Sequence, residues 1–370
     1  MRSQTEWIES LDPWPSDGFG LDRMLALLAE LGNPQLRYPA IHVVGTNGKS
    51  TTSRMIEALL AAEGLAVGTY LSPHVRAWSE RIRIGGAETD FERAVGAVRG
   101  AAEQAGATQF EVLTAAALLA FADAEVNAAV VEAGLGGRHD ATNVLNTFTV
   151  VLTNVALEHT EVLGPTRDAI AREKLAVIRP RSSVVLGEPE WAPLAEEAGA
   201  AEVVVAAAGD NVDLATKAAE AFLGYVVDPA PARAVSLPGR LERRADEIRD
   251  GAHTPDAVSY IAPHLPPLGA IAASILSDKD VEGILRLLAE LTDTFVATTS
   301  SNPRALPAEE LARRARPWFD RVETEPDPSA AVARAHELGS PVLVTGSLYL
   351  LADLSRQEEE SVRCRTLLSG

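Results

Sequence analysis

Short apolar runs rich in valine and isoleucine alternate along the chain with stretches whose apolar residues recur every three or four positions. The runs "AIHVVG" (40–45), "AAVVEAG" (128–134), "FTVVLTNV" (148–155), "SSVVLG" (182–187) and "AEVVVAA" (201–207) read as strands buried on both faces. Helical periodicity fills the intervals at 20–31, 49–63, 110–124, 166–178 and 211–224, the last opening after the capping candidate Asp210. This strand–helix alternation predicts a mostly parallel α/β sheet. A proline-bearing, weakly periodic stretch, "VVDPAPARAVSLPG" (226–239), interrupts the series and reads as a linker. Beyond it a second series begins, with strands at "GAIAASI" (269–275), "DTFVATTS" (293–300) and "PVLVTG" (341–346) and helices at 280–290, 307–316 and 328–338. The reading is therefore two domains, 1–233 and a smaller 234–370, both α/β, the second Rossmann-like.

Composition narrows the partners. A chain of 370 residues with 46% hydrophobic residues has material for two cores. A formal charge of -19 opposes non-specific nucleic-acid binding, so an anionic ligand must meet a local exception. The single cysteine, Cys364, allows no intrachain disulfide, and a reducing, cytoplasmic compartment is expected. The stretch "MRSQTEWIESLDPWP" lacks the basic-then-apolar order of an export signal, and "VLTAAALLAFA" (112–122) is too short to span a bilayer, so no export or membrane role is expected.

The local exception lies after the first strand, where Gly45-Thr46-Asn47-Gly48-Lys49-Ser50-Thr51 opens a helix. Backbone N–H groups of such a turn, with the helix N-terminus, form a donor cradle for phosphate; the lysine reaches the outer phosphates and a hydroxyl ligates Mg²⁺. The anion expected here is a nucleoside triphosphate, and the first domain reads as a P-loop ATPase domain. The match is incomplete, because Val43 stands where the usual loop has its first glycine. Magnesium on the outer phosphates needs further protein ligands, which in an open parallel sheet come from the carboxyl ends of neighbouring strands. Glu132 ends one such strand, and His159 follows another. Taken singly, the first could be a loop carboxylate and the second a solvated turn histidine.

The ordered set "GTNGKST", "SPHVRAWSERIRI", "FEVLTAAALLAF", "EAGLGGRHDATNV", "NVALEHTEVLG", "IAREKLAVIRP", "PGRLE", "DGAHTP", "SDKD" and "VTGSLYL", spread over residues 19–354, resembles the folylpolyglutamate synthase/dihydrofolate synthase family of the Mur ligase superfamily. The resemblance implies ATP-dependent amide ligation: a folate or dihydropteroate carboxylate takes the γ-phosphoryl group, and the amine of L-glutamate displaces phosphate from the acyl phosphate. It implies ATP and two Mg²⁺ ions as cofactors, small-molecule partners, and a monomer. Carried onto this chain, the phosphate loop is Gly45, Thr46, Asn47, Gly48, Lys49, Ser50 and Thr51, with Ser50 or Thr51 near the first magnesium. Ser72 and Glu132 correspond to further metal ligands, His159 to a ligand of the second magnesium, and Lys174 to a lysine that the family carbamylates, which would turn a cation into a metal-binding anion. Arg240, Asp250 and His253 correspond to residues that close over ATP, so the nucleotide is expected between the two domains, with closure gating turnover. The implied catalytic set is Lys49, Glu132, His159, Lys174, Arg240 and His253. Phe110, Thr114, Asp140 and Ala141 match the region lining the pterin or pteroate pocket, and Arg76 and Arg81 could offset substrate carboxylates.

Several positions depart from the family pattern. Thr254 replaces an asparagine in "DGAHT", Glu158 lengthens the acid beside His159, and Leu214 occupies the position of an asparagine that contacts adenine in relatives, with Asn211 retained nearby. The segment before residue 210 is abbreviated. A sister Mur-type amino-acid ligase and a nucleotide-binding paralogue without ligase activity are the alternatives; the "FGLDRM" opening favours folate over the first, and retention of Lys49, Glu132, His159, Lys174 and His253 argues against the second.

Overall fold

A computed structural model describes residues 3–15 and 18–368, with side chains described up to residue 360, so that of Cys364 lies outside. The chain forms two compact units that divide between Val235 and Ser236. In the first, the strands are β1 (Ala40–Val44), β2 (Val67–Tyr70), β3 (Ile82–Ile84), β4 (Ala87–Glu88), β5 (Ala128–Glu132), β6 (Thr147–Leu152), β7 (Ser183–Leu186) and β8 (Glu202–Val205). They make one sheet in the order β4-β3-β2-β5-β1-β6-β7-β8, parallel except for the antiparallel β3 and β4. The chain leaves β1 toward β2 on one side, and β5 then leads to β6 on the other, so the carboxyl end of β1 is the switch point where an open α/β sheet places ligands.

Alternation along β1 builds two faces. Ile41 and Val43 pack with Ile56, Leu59, Leu60, Leu214, Ala215 and Ala218 from the helices Lys49–Ala62 and Asn211–Leu223. Ala40 and Val44 belong to two separate clusters on the opposite face, one built on the helices Phe91–Ala105 and Gln109–Asp123, the other on Arg167–Leu175. The helix Gln109–Asp123 is apolar almost all round because it lies within the core, with Val112, Leu113, Ala115, Ala116, Ala117, Leu118 and Phe121 buried. Its Phe121 ring lies so close to β2 that a Cβ on Gly68 would sit 2.5 Å from it, which is why a strand here tolerates glycine.

The five predicted strands of this unit are present, as are its predicted helices, with ends moved by a residue or a few. Missing from the sequence reading were β2, with its single branched apolar residue Val67, the β3–β4 hairpin around Gly85 and Gly86, and the helix Phe91–Ala105, whose periodicity Gly96 and Gly100 dilute. The predicted linker is shorter than its composition suggests. Val227 and Ala232 are buried against the helices Lys49–Ala62 and Asn211–Leu223, with a short helix at Ala230–Arg233, so most of that stretch is first-unit core.

The second unit adds β9 (Glu242–Arg244), β10 (Glu247–Arg249), β11 (Ala270–Ala273), β12 (Thr294–Ala297), β13 (Arg321–Thr324) and β14 (Val342–Thr345) in the order β13-β12-β11-β14-β10-β9, with β9 antiparallel. Its core includes Phe295 and Phe319, whose rings stand 4.7 Å apart. The polar edge strands β9 and β13 carry no buried-strand signature and escaped the sequence reading. Among the described residues no helix is long and apolar enough to cross a membrane.

Truncating Phe121 to alanine should leave a cavity beneath β2 and destabilise the protein by about 3–5 kcal/mol in urea unfolding followed by tryptophan fluorescence. A loss below about 1 kcal/mol would show that the ring is not a keystone of this core.

Candidate functional site

The phosphate loop is sewn to the end of β6. Gly45 has φ 147°, and a Cβ on it would lie 1.9 Å from Thr153 Oγ1, so only glycine fits that approach. The Thr46 N–H donates to Asn154 O at 2.9 Å, the Asn47 N–H to Asn154 Oδ1 at 2.9 Å, and the Ala156 N–H to Thr46 Oγ1 at 3.1 Å. Gly48, with φ 80°, turns the chain into the helix Lys49–Ala62. The donors at that helix start, from Gly48 to Thr51, are those an α-helix cannot satisfy internally, and they face the loop with the positive end of the helix dipole. Lys49 Nζ donates to Thr46 O at 3.1 Å, folded over the same loop.

Three elements meet on one carboxylate. Glu132 pairs in register with Val43, ends β5, and is 1% exposed. Its Oε1 accepts from Ser50 Oγ at 3.0 Å and its Oε2 from the Ser72 N–H at 3.1 Å, so the phosphate-loop helix, the segment after β2 and the tip of β5 converge there. Serine and carboxylate oxygens at this spacing are the hard donors that a Mg²⁺ site needs. Lys174, 4% exposed on the helix Arg167–Leu175, donates from Nζ to Gly45 O at 2.7 Å. Burial, reinforced by the charge of Lys49, pushes its amine down to about 7. His159 is placed differently. It takes a left-handed conformation, φ 49°, its side chain is half exposed, and Nε2 lies 3.5 Å from Glu158 Oε1, so the Ser50–Glu132–Ser72 set forms without it. Among the described residues no group of three His, Cys, Asp or Glu side chains is arranged to hold a metal.

The expected acceptor residues lie on the helix Gln109–Asp123 and in the loop after β5. Phe110 packs so closely on Gly134 that a Cβ there would come within 2.5 Å of the ring, and its centroid is 6.1 Å from that of Tyr70. Thr114 Oγ1 donates to Phe110 O at 2.8 Å and lies 3.4 Å from the Tyr70 hydroxyl. Ala141 is buried. Asp140 directs its oxygens into its own loop, accepting from the Leu135 N–H at 2.8 Å, the Thr142 N–H at 3.0 Å and, closer still, the Thr142 hydroxyl. Burial raises its carboxyl above the ordinary range while these donors pull it back.

Of the two arginines after Ser72, Arg76 is exposed and pairs with Glu80 at 3.4 Å, whereas Arg81 is buried. The Arg81 Nε–H donates to His74 Nδ1 at 2.9 Å, its guanidinium stacks on Trp78 at 4.9 Å from the ring centre, and it hydrogen-bonds the Tyr70 hydroxyl. Since arginine only donates, His74 Nδ1 is unprotonated, in keeping with burial and the Arg81 charge pushing His74 down to about 3. Tyr70, His74 and Trp78 escaped the sequence reading. A cage drawn from one strand end and one irregular loop has no period to reveal it.

In the second unit, Asp250 Oδ2 accepts from the Leu241 N–H and Oδ1 from the Ala252 N–H, both at 2.8 Å, and burial raises its carboxyl against the opposing charge of Arg240. Arg240 Nη1 donates to Gly239 O at 3.1 Å, and His253 Nδ1 donates to Gly251 O at 2.8 Å. The three residues thus share one turn-rich segment around β9 and β10.

Comparison with known proteins shows the family to which the chain belongs. Residues 43–221 match the Mur ligase middle domain and residues 239–348 the Mur ligase, glutamate ligase domain. The dihydrofolate synthase/folylpolyglutamate synthase of Escherichia coli (strain K12) is 30% identical, over 95% of this chain and 94% of that one. The chain belongs to the folylpolyglutamate synthase/dihydrofolate synthase family of Mur ligases. The structure of E. coli FolC in complex with DHPP and ADP superposes with a TM-score of 0.86 at 28% identity, covering 97% of this chain and 98% of that one. A bifunctional folylpolyglutamate synthase/dihydrofolate synthase with Mn, AMPPNP and L-glutamate bound gives 0.83 at 30% identity, covering 97% and 98%.

Two departures from the family pattern acquire physical roles. Thr254 caps the helix Pro255–Ile261, its Oγ1 accepting from the Ala257 N–H at 3.2 Å, a duty that asparagine performs equally well. Leu214 is 2% exposed within the core beneath β1, where it packs with Ile41 and Val43. Its role here is hydrophobic. Replacing Leu214 with asparagine should therefore lower stability by about 2–5 kcal/mol in urea unfolding, with no gain in ADP affinity by calorimetry. A stable variant that binds ADP more tightly would overturn the core assignment.

Proposed function

We propose that this ATP-dependent ligase joins L-glutamate by an amide bond to a folate-type acceptor, the carboxylate of dihydropteroate or the γ-carboxylate of a reduced folate, giving ADP and phosphate. The observation that carries the reading is the convergence of Ser50 and Ser72 on buried Glu132 at the lip of the phosphate loop. The ligands named for related structures include ADP in one and Mn, AMPPNP and L-glutamate in another, the nucleotide, divalent metal and amino acid that this reaction requires.

In the proposed sequence an acceptor carboxylate oxygen attacks the γ-phosphorus and the bond to ADP breaks. The glutamate amine then attacks the activated carbonyl carbon, loses a proton, and phosphate departs. An ionised carboxylate is a poor electrophile, so phosphorylation supplies the leaving group that direct condensation lacks. The residues contribute positioning and charge: the helix start after Gly48 and the Lys49 ammonium hold the phosphates, and Glu132 with Ser50 and Ser72 would hold the divalent cation. That cation, when bound, neutralises phosphate oxygens and aligns them for in-line transfer. Arg240, Asp250 and His253 are assigned to the nucleotide, and Phe110, Thr114, Asp140 and Ala141 to the acceptor.

The proposal extends to Lys174 and His159. A buried amine pushed down to about 7 presents its neutral, nucleophilic form at working pH, as carbamylation by CO₂ requires. The Glu158 carboxylate acts electrostatically on Lys174, which supports its neighbour His159 as a partner of a carbamate in holding a second metal.

Glutamate-dependent ADP release, measured in parallel with dihydropteroate and tetrahydrofolate and with products resolved by mass, tests the reaction; turnover with at least one is expected, and inertness with both would refute it. For Lys174, the sign follows from its lowered pKa: neutral amine accumulates as pH rises through 7. With a fixed dissolved concentration of ¹³C-labelled CO₂, a carbamate carbon signal should grow between about pH 6 and pH 8 and vanish in Lys174→Arg. An identical signal in that variant would exclude Lys174 as its origin.

A further inference from the structure

A histidine stands in the middle of the central strand. His42 lies on β1 between Ala40 and Val44, three residues before Gly45, in positions where a parallel sheet normally places aliphatic side chains. It is fully buried, on the face where the two hydrophobic clusters of Ala40 and Val44 stay separate. His42 Nε2 is 2.8 Å from Thr142 Oγ1, and the Thr142 hydroxyl contacts Asp140 Oδ1. Thr142 has one hydroxyl proton. Asp140 Oδ1 accepts from the Thr142 N–H and takes the hydroxyl proton as well, so His42 donates from Nε2–H to the remaining lone pair on Thr142. The Nδ1 atom is then a bare acceptor, and it is the buried ring nitrogen without a hydrogen-bond partner. Burial, with the charge of Arg179 behind it, pushes the imidazole down to about 3, which keeps the ring neutral.

An orphaned buried nitrogen costs stability that leucine or valine would not, so packing alone gives no reason for this side chain. The chain of bonds gives one. The Thr142, Leu135 and Gly134 N–H groups donate to Asp140, so the carboxylate closes the loop 134–143, whose first residue, Gly134, also lies against the Phe110 ring. That loop has no regular secondary structure of its own to hold it in register with the sheet.

We infer that His42 is a positioning residue for ligation: through Thr142 and Asp140 it locks the acceptor-facing loop 134–143 to the strand that delivers the phosphate loop. The inference rests on the assignment of Phe110 and Asp140 to the acceptor. It requires that loosening His42 or Thr142 misplace the acceptor while nucleotide binding, built on the far side of Gly45, is left as it was.

Thr142→Val keeps the shape of the side chain and removes both hydroxyl bonds, whereas Thr142→Ser keeps the hydroxyl. His42→Leu removes the donor, and His42→Gln returns an N–H at nearly the reach of Nε2. In T142V and H42L the KM for the folate acceptor should rise about tenfold, with ADP affinity within about twofold of the parent. T142S and H42Q should recover most of the loss. Hydrogen–deuterium exchange reads the lock directly: peptides containing the amides of Leu135 and Thr142 should exchange about tenfold faster in T142V and H42L, with the helix Lys49–Ala62 unchanged. Equal protection of that loop in all four variants overturns the inference whatever the acceptor proves to be, as does a parallel weakening of ADP and acceptor binding. Parent enzyme inert toward both folate acceptors would defeat the proposed reaction, and the exchange arm would still decide whether His42 locks the loop.

Discussion

The structure of the first unit depends on one buried carboxylate. Glu132 is 1% exposed at the tip of β5, where an unpartnered charge would be expensive, and its two oxygens are met by Ser50 from the phosphate-loop helix and the Ser72 backbone after β2. Meeting that requirement fixes three chain segments, distant in sequence, to within hydrogen-bond length of each other. The switch in strand order around β1 makes the meeting possible, because it brings the carboxyl ends of β2, β5 and β1 side by side. The site proposed to hold phosphates and a divalent cation is thus assembled by the same bonds that satisfy the fold.

Around this point the protein buries polar and charged groups it could have avoided. Lys174 is buried against Gly45 O, Arg81 is enclosed by His74, Trp78 and Tyr70, and His42 occupies a strand position suited to valine. Each raises the cost of folding relative to an apolar side chain, and Lys174 and His42 bond directly to the phosphate loop and the loop 134–143. The second unit concentrates the same kind of burden at Asp250, with both oxygens bound by backbone N–H groups and Arg240 opposing its burial. Elsewhere the cores are aliphatic, as in the cluster of Ile41, Val43 and Leu214. Unfavourable burial in a few places, against a conventional background, is the physical signature of function.

Most of the fold was legible in the sequence, because buried parallel strands and amphipathic helices repeat along the chain. The phosphate loop was legible too, since Gly45 and Gly48 are demanded by backbone conformations that other residues resist. Glu132 followed from strand-end logic. What stayed hidden is what depends on tertiary approach: the Arg81 cage, the bond from His42 to Thr142, and the turning of Asp140 into its own loop. Edge strands such as Arg321–Thr324 were missed because a polar edge has no buried face to print a pattern. Leu214, a departure from the family pattern that the sequence showed, is a core residue, and only the tertiary packing gives it that role. Sequence logic reads periodic burial well and aperiodic convergence poorly.

The central claim is that Glu132 holds the divalent cation which in turn holds the triphosphate. Calorimetric titration of AMPPNP with and without Mg²⁺, in the parent protein and in Glu132→Gln, tests it most directly, because glutamine keeps the shape and removes the charge. The account predicts that Mg²⁺ strengthens binding by at least about tenfold in the parent and has little effect in the variant, while metal-free ADP binds both alike. An undiminished Mg²⁺ effect in Glu132→Gln would contradict it.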